Sequence, residues 1–528
     1  MQSMKEAHSE CRGMMRSAGL IGAATLCSRI LGFCRDIVIA RMFGVYVYAQ
    51  AFVVAFRIPN LFRDIVGEGA VNSAFVPVLS RYNLKRDSSE FWELANVLLN
   101  ILLVVLSAIV VAGVVFSPFI IKVFAPGFTA DPVKFQTTVL LNRLVFPYLL
   151  LIGLAAYTMA MLNSLGHFKA PAFAPCLLNI SIIVCALLFG EGITGLASGI
   201  LIGGVLQLAV QVPVIYARGF RLKGFLKKFS HPGAVEVVRL LVPRLFGTCI
   251  YQLNNFVDSV FGSLAFIVGE GGVAVLYFSY RLVQFPVGIF GNAVAQAALP
   301  LMSQQASEES RRGDLKNTLL LGLRQVFFLM LPASAFLIAL SGPIVGGIFR
   351  GGRFDAYAAA VTADALVYYS IGLFAYAGSK VLNSCFFALR DTVSPVKVSA
   401  VALGLNIVLN TVLMFPLKIK GLALSSSISG IISFLILIRI LDRKTGGLGL
   451  RGIAVSFFKM LSASAAAGYV CFLVSLRFPG GGRSGGFFFN AGWLVVYFIC
   501  CCAVYLAGCL LLKCDELGEL RGWLRRKK

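Results

Sequence analysis

A chain of 528 residues that is 58% hydrophobic and only 13% charged is far from the roughly one-quarter charged share of an ordinary soluble protein. Its net charge is +24, from 47 Lys and Arg against 23 Asp and Glu. Those basic residues sit mostly in short gaps between apolar runs, with no zinc-finger, RNA-binding or helix-turn-helix pattern, which argues for a membrane protein and against nucleic acid as a partner.

Residues 1–16 are polar and basic and read as a cytoplasmic N-terminus. The run that follows has no convincing small-residue cleavage site and contains Ser28, Arg29, Arg35 and Asp36. It is therefore a retained first helix and not a signal peptide. Fourteen spans are predicted in all, near 17–40, 49–80, 93–118, 136–162, 172–190, 194–217, 238–267, 272–301, 318–341, 358–387, 396–415, 421–440, 454–476 and 491–512. The second and the eighth are longer than a simple crossing and contain Pro, Gly and charge, which predicts kinks or a protruding extension. The fold class is an all-α polytopic membrane protein.

Charge placement gives the topology. With both termini cytoplasmic, 28 of the 47 Lys and Arg fall on the cytoplasmic side, nine on the other side and ten inside the spans. That bias is the one expected of short loops flanking membrane helices. Thirteen cysteines are scattered, several in apolar runs such as Cys500, Cys501 and Cys502. Without metal-type spacing they read as small buried hydrophobes.

The ten basic residues inside spans are Arg29, Arg35, Arg57, Arg63, Arg143, Arg239, Arg244, Arg281, Arg324 and Lys380. Those near helix ends, such as Arg239 and Arg244, can snorkel to the headgroups. Arg29 cannot: counted from Ser17 it lies about 18 Å into its helix, near the middle of a core about 30 Å thick. A charge at that depth needs a water-filled cavity or a partner.

An internal duplication accompanies this pattern. Residues 56–80 can be laid over 280–303 with one gap, so that Arg57 meets Arg281 and Pro77 meets Pro300. Further on, Gly195 of GITGLAS pairs with Gly421 of KIKGLALS. The offsets are 224, 223 and 226 residues. They predict two six-helix lobes, 17–217 and 238–440, separated by a basic cytoplasmic loop at 218–237. Two additional helices follow within 441–512, then a basic cytoplasmic tail at 513–528. Repeated lobes with a substrate path between them are a common design of secondary transporters.

Three stretches carry a family resemblance: SRILGFCRDIVIAR (28–41), AFVVAFRIPNLFR (51–63) and GEGAVNSAFVP (67–77), with weaker support from KAPAFAPCLLNI (169–180) and YFSYRLVQFP (277–286). The chain resembles the MurJ/MviN family of lipid II flippases, within the multidrug/oligosaccharidyl-lipid/polysaccharide (MOP) superfamily. The resemblance implies movement of undecaprenyl-pyrophosphate-linked disaccharide-pentapeptide from the cytoplasmic to the periplasmic leaflet of a bacterial inner membrane, by alternating access. It implies no ATP site, and the sequence has no Walker glycine loop. The energy source would be an ion gradient or the membrane potential, and the last two helices would form a groove for the lipid tail. Membrane lipids and cell-wall synthesis or division proteins are the further partners it implies.

By the same resemblance Arg29, Arg35, Arg63 and Arg281 are the substrate-binding arginines, with Ser28, Gln50, Arg57 and Glu68 as secondary cavity candidates. The chemistry is direct, because guanidinium groups bind phosphate oxygens through a planar, bidentate donor fork. The competing reading of each arginine is snorkelling, or a salt bridge with Asp36 or Glu68. Two positions depart from the family pattern: Gln50 and Tyr280 stand where relatives place acids. A sodium site in relatives maps onto Asp258, Asn406, Asn410 and Ser426. Asn406 and Asn410 are four apart and share a helix face, and the alternative is that these asparagines bridge helices by hydrogen bonds. Pro59, Pro77, Pro171, Pro175, Pro286 and Pro300 bend helices, and Gly32, Gly67, Gly69 and Gly291 permit close packing or hinge motion.

Rival readings remain. Another polyprenyl-pyrophosphate glycan flippase would share the arginines, whereas an exporter of organic cations would line its cavity with acids and aromatics. A membrane-embedded glycosyltransferase or ligase would need an acid, base or metal cluster at a membrane face. A passive scaffold would not require Arg29 at mid-membrane.

Overall fold

The computed structural model describes residues 2–63, 74–84, 88–190, 192–223, 229–478, 487–514 and 516–517. It divides into two compact units, 1–263 and 264–528.

The first unit comprises α1 (Gln2–Phe43), α2 (Val47–Arg63), α3 (Val76–Leu84), α4 (Ser88–Val115), α5 (Ser117–Phe124), α6 (Pro132–Val145), α7 (Tyr148–Ser164), α8 (Lys169–Phe189), α9 (Ile193–Ala217) and α10 (Pro232–Gly262). The second comprises α11 (Ala265–Val268), α12 (Gly272–Pro286), α13 (Asn292–Ser307), α14 (Arg312–Ala339), α15 (Ser341–Ile348), α16 (Ala356–Ile371), α17 (Leu373–Ala388), α18 (Val393–Leu417), α19 (Ile419–Lys444), α20 (Leu450–Arg477) and α21 (Phe487–Leu511). Every predicted span coincides with one of these helices or with a consecutive pair. Among the described residues, ten helices are long and apolar enough to cross a membrane, or eleven when the bent pair α16–α17 is taken as one span. Of the three other predicted spans, the first lies in α1, whose apolar run is interrupted by Arg29, Arg35, Asp36 and Arg41; the second covers α2 and α3, with 64–73 outside the described residues; and the seventh lies in α10.

Three local features add to the sequence expectation. Helix α1 starts at Gln2, well before the apolar run, because an N-terminal stretch of helix formers extends it beyond the membrane; apolarity bounds the span, not the helix. The predicted kink of the eighth span is a π-turn at Val287–Gly291, directly after Pro286, which joins α12 to α13. Such single-turn π-bulges absorb a missing backbone hydrogen bond. The tenth span, expected to be continuous, breaks by 44° between α16 and α17. Gly372 sits at the break, where an added Cβ would lie 3.0 Å from the Cα of Ser427 on α19.

Glycines and serines set the tightest helix pair in each unit. On α9, Gly195, Gly199 and Gly203 recur every fourth residue and face α8: an added Cβ would meet the Cys185 carbonyl oxygen at 3.1 Å, the Ile182 Cα at 2.8 Å and the Leu178 Cα at 2.9 Å. On α19, Gly421, Ser425 and Ser429 recur with the same spacing and are buried, and a Cβ on Gly421 would be 2.2 Å from the Leu413 carbonyl oxygen of α18. Each of these three residues lies 226 positions after its α9 counterpart. Small residues at this spacing let two backbones approach within a membrane, where lipid provides no hydrophobic drive for helix association.

Within the first unit α1 packs on α8, α2 on α6, and α4 and α9 on α7. Helix α10 also belongs to this unit, touching α3, α4 and α5. Within the second unit α12 packs on α16, α13 on α17, and α14 on both α17 and α20, while α21 packs on α20 and α15.

Candidate substrate-binding site

Two of the predicted arginines lie on α1, six residues apart, in contrasting surroundings. Arg29 is exposed and makes no ion pair among the described residues. Arg35 is buried, with 6% of its surface accessible, beside a fully buried Asp36. Its Nε and Nη2 donate to Asp36 Oδ1 at 3.0 and 2.7 Å, and its Nη1 donates to Asn179 Oδ1 of α8 at 3.1 Å. The guanidinium also lies 5.5 Å from the centre of the Phe56 ring, a cation–π distance. The salt bridge that competed with substrate binding at Arg35 is thus formed.

Asn179 was not singled out from the sequence. Besides accepting from Arg35, it donates through Nδ2 to the Ser28 carbonyl oxygen at 3.2 Å and to the Pro175 carbonyl oxygen at 3.3 Å. One amide therefore ties α8 to α1 at two points, one on each side of Arg29 or next to it in sequence. A lone Asn in the apolar run KAPAFAPCLLNI was the only available signal.

The remaining first-unit candidates are distributed along α2 and α10. Arg57 donates from Nη1 to Ser259 Oγ of α10. Gln50 is 1% exposed, and its Nε2 has no hydrogen-bond partner among the described residues. A neutral amide costs less to bury there than a carboxylate would. Arg63 is the last residue of α2, and its side chain lies outside the described residues, as do Glu68, Gly67 and Gly69.

In the second unit Arg281 lies on α12, half-buried, one residue after Tyr280. The Tyr280 ring packs against Tyr369 at 5.4 Å, and its hydroxyl accepts from Gln284 Nε2 at 2.5 Å. Where the family resemblance implied an acid, this position thus holds an aromatic hydrogen-bonded along its own helix. Lys380 of α17, another in-span cation, donates to Asn292 Oδ1 of α13 at 2.6 Å, one residue past the π-turn.

The residues mapped from the sodium site divide between the units. Asn406 and Asn410 are fully buried on α18; Asn410 Nδ2 donates to Asn406 Oδ1 at 3.0 Å, and Asn406 Nδ2 donates to Ser426 Oγ of α19 at 3.4 Å. Asn410 Oδ1 has no hydrogen-bond partner among the described residues, and neither does the buried Asp258 Oδ1 of α10 in the first unit. An amide oxygen and a carboxylate oxygen left open in this way are the donor types a hard cation takes. No group of three or more His, Cys, Asp or Glu side chains that could hold a metal occurs among the described residues.

Solved structures share this architecture. One described as "Lipid II flippase MurJ, inward closed conformation" superposes with a TM-score of 0.78 at 24% identity, covering 94% of this chain and 99% of its own. An inward-facing multidrug MATE family transporter of the MOP superfamily gives 0.66 at 16% identity, over 80% of this chain and 95% of its own. The fold is therefore that of a multi-pass, MOP-type membrane transporter. The family model "Lipid II flippase MurJ" matches residues 39–491. A probable lipid II flippase MurJ of Buchnera aphidicola subsp. Schizaphis graminum is 34% identical over 429 residues, 80% of this chain and 82% of the relative. The lipid II flippase MurJ of Burkholderia cenocepacia is 32% identical over 431 residues, 80% and 83% of the two chains. The chain belongs to the MurJ lipid II flippase family and is a transporter, not an enzyme.

Proposed function

We infer that this protein is a lipid II flippase of the bacterial inner membrane, moving the lipid-linked peptidoglycan precursor between leaflets by alternating access. The single observation that carries the inference is the family match across residues 39–491. The physical reading of the arginines supports it. Arg29 is an exposed guanidinium with no ion pair among the described residues, on a helix whose neighbouring Leu26 and Ile30 are apolar. It offers its donor fork to a pyrophosphate without first breaking an internal ion pair.

Arg63 and Arg281 are the further substrate contacts of this proposal. The diphosphate carries negative charge on several oxygens, so several guanidinium groups can share it. Arg35 acts with Asp36 and Asn179 to hold α1 against α8, and it reaches substrate only by exchanging those partners. Release into the opposite leaflet requires that the arginines separate or become hydrated, because contacts strengthened by desolvation weaken as water enters. Ser28, Gln50, Arg57 and Glu68 complete the proposed lining.

The excess of Lys and Arg in the corresponding loops supports a cytoplasmic position for both termini. Sodium, if it is the coupling ion, would be held by Asp258, Asn406, Asn410 and Ser426. It would supply a charge whose gradient biases one conformation over the other. A direct test is complementation of a strain depleted of its own lipid II flippase, with lipid II in each leaflet quantified. The expected result is restored growth and loss of the cytoplasmic-leaflet pool. Correct insertion without rescue would refute the assignment, and rescue of a strain lacking a different polyprenyl-linked glycan flippase would widen the substrate class.

A further inference from the structure

A second cationic site lies within the second unit, and it shares no residue with the arginine set assigned to the transported lipid. A cavity of about 350 Å³ is lined by Arg324 of α14, by Arg451, Gly452, Ser456 and Lys459 of α20, and by Cys514 beyond the end of α21. Its volume falls in the range of small-ligand sites. Among the described residues the lining contains three cations and no acid.

Helical geometry explains the convergence. Arg451, Val455 and Lys459 recur every fourth residue and form one ridge of α20, while Gly452 and Ser456 form the adjacent ridge. Helix α20 packs along α14, and Gly452 lies beside the arginine: a Cβ there would be 3.6 Å from Arg324 Nη2. Arg324 is half-buried, twelve residues after the first residue of α14, and its buried Nε has no hydrogen-bond partner among the described residues. Lys459 is held at the rim by a 3.4 Å hydrogen bond from Nζ to the Lys513 carbonyl oxygen, which leaves two ammonium donors for another acceptor. Ser456 is buried, with a hydroxyl able to donate as well. Of the two acids that follow Cys514, Asp515 lies outside the described residues, and Glu516 makes no ion pair or hydrogen bond among the described residues.

A snorkelling cation needs only the headgroup layer. Three cations from two helices around one concave space, with a buried donor left open, need an anion of matching size. We propose that this cavity binds the phosphate of an anionic glycerophospholipid, of the phosphatidylglycerol type. The recognised chemistry is a phosphodiester monoanion. A lipid supplies it because the lining lies where α20 begins and α21 ends, so acyl chains can continue along those helices. Basic pockets between membrane helices are known to take such headgroups. The position, against the two helices that follow the repeated lobes, would make bilayer composition a determinant of how firmly α20 and α21 dock on α14.

The test uses the full-length protein in a neutral detergent, titrated with short-chain phosphatidylglycerol, short-chain phosphatidylcholine or inorganic phosphate, and followed by native mass spectrometry and thermal unfolding. Phosphatidylglycerol should bind at least about fivefold more tightly than phosphatidylcholine, from the increment expected per cation near a lipid phosphate. The variant Arg324→Gln/Arg451→Gln/Lys459→Gln should lose at least about tenfold of that affinity by the same reasoning. A control with the same charge change at exposed positions elsewhere, Lys122→Gln/Arg350→Gln/Arg353→Gln, should stay within about twofold of wild type. If the triple variant fails to fold, Arg451→Gln alone, in the exposed first turn of α20, should still cost about threefold. Equal losses in the two triple variants, no loss in the cavity variant, or equal stabilisation by millimolar inorganic phosphate would each overturn the proposal.

Discussion

Asn179 of α8 and Asn406 of α18 both occur in the three-residue word Leu-Asn-Ile, 227 residues apart, and each lies in the helix before a small-residue stripe. Their surroundings have diverged. Asn179 joins a charged network, accepting from Arg35 and donating to the α1 backbone. Asn406 joins a neutral one, with Asn410 and Ser426. A duplicated scaffold has kept the helix pairs and the buried amide, and has given the amide different partners in each copy. In the first unit it fixes a helix that carries arginines; in the second it lies among oxygens suited to a cation or to interhelical hydrogen bonds.

The largest effect that would break this comparison is at Arg35. Arg35→Ala removes the cation paired with the buried Asp36, and breaking a buried pair costs about 3–5 kcal/mol. A fall in thermal stability of that order is expected in detergent, and replacing Asp36 as well should restore much of it. An unchanged unfolding temperature for Arg35→Ala would mean that the pair does not stabilise the first unit.

Next in size is the contrast between the stripe glycines. Gly421→Ala drives a methyl into the Leu413 backbone, 2.2 Å away, whereas Gly195→Ala meets a carbonyl oxygen at 3.1 Å. Overpacking of the first kind costs about 1–3 kcal/mol, so Gly421→Ala should be the more damaging of the two in a thermal unfolding comparison. The reverse order would show that the two hairpins are not packed alike.

A smaller change is expected at Asn406. Hydrogen bonds between membrane helices are worth about 0.6 kcal/mol on average and up to about 1.7, so Asn406→Ala should lower stability within that range. If the cluster also holds a coupling ion, the variant should abolish any sodium dependence of transport while remaining folded. Sodium-dependent transport that survives the substitution would leave the cluster a purely interhelical contact.

The smallest effect is predicted at the turn between α17 and α18, where Asp391 pairs with Lys444 and accepts from Ser394. The Lys444 ammonium, followed by the Ser394 hydroxyl and backbone N–H, holds the Asp391 carboxyl well below the usual carboxylate range. A depressed carboxyl stabilises the fold above the unfolded value of about 3.9 and loses that contribution as pH falls through its folded value. The stability gap between wild type and Asp391→Asn should therefore be constant from pH 5 to 8 and close only in acid. Lys444 is half-exposed, which limits the gap to under about 1 kcal/mol. A gap that closed near neutral pH would contradict this assignment.

Much of the fold was legible because the membrane imposes one rule on every span. Runs of about 20 apolar residues mark helices, and the Lys and Arg surplus marks their connections. The extension of α1 and the break at Gly372 escaped that rule, since neither depends on hydropathy: one follows from helix propensity, the other from close approach to Ser427. In the candidate site, residue types were legible and their employment was not. Arg29 and Arg35 look equivalent in the string, yet one is exposed and the other is fixed by a partner 144 residues away. The cavity under Arg324 was likewise hidden, because its cations come from helices that meet only in the folded chain.

The central claim is that an exposed arginine on α1 serves the transported anion while its buried neighbour serves the fold. Arg29→Ala tests it most directly, in cells depleted of their own flippase, with membrane insertion and lipid II in each leaflet measured together. Loss of a charge-assisted contact worth about 1.5–3 kcal/mol predicts a protein that inserts at wild-type levels while flipping falls roughly 10- to 100-fold. Full rescue by Arg29→Ala, or a defect that arises only from failed insertion, would contradict it.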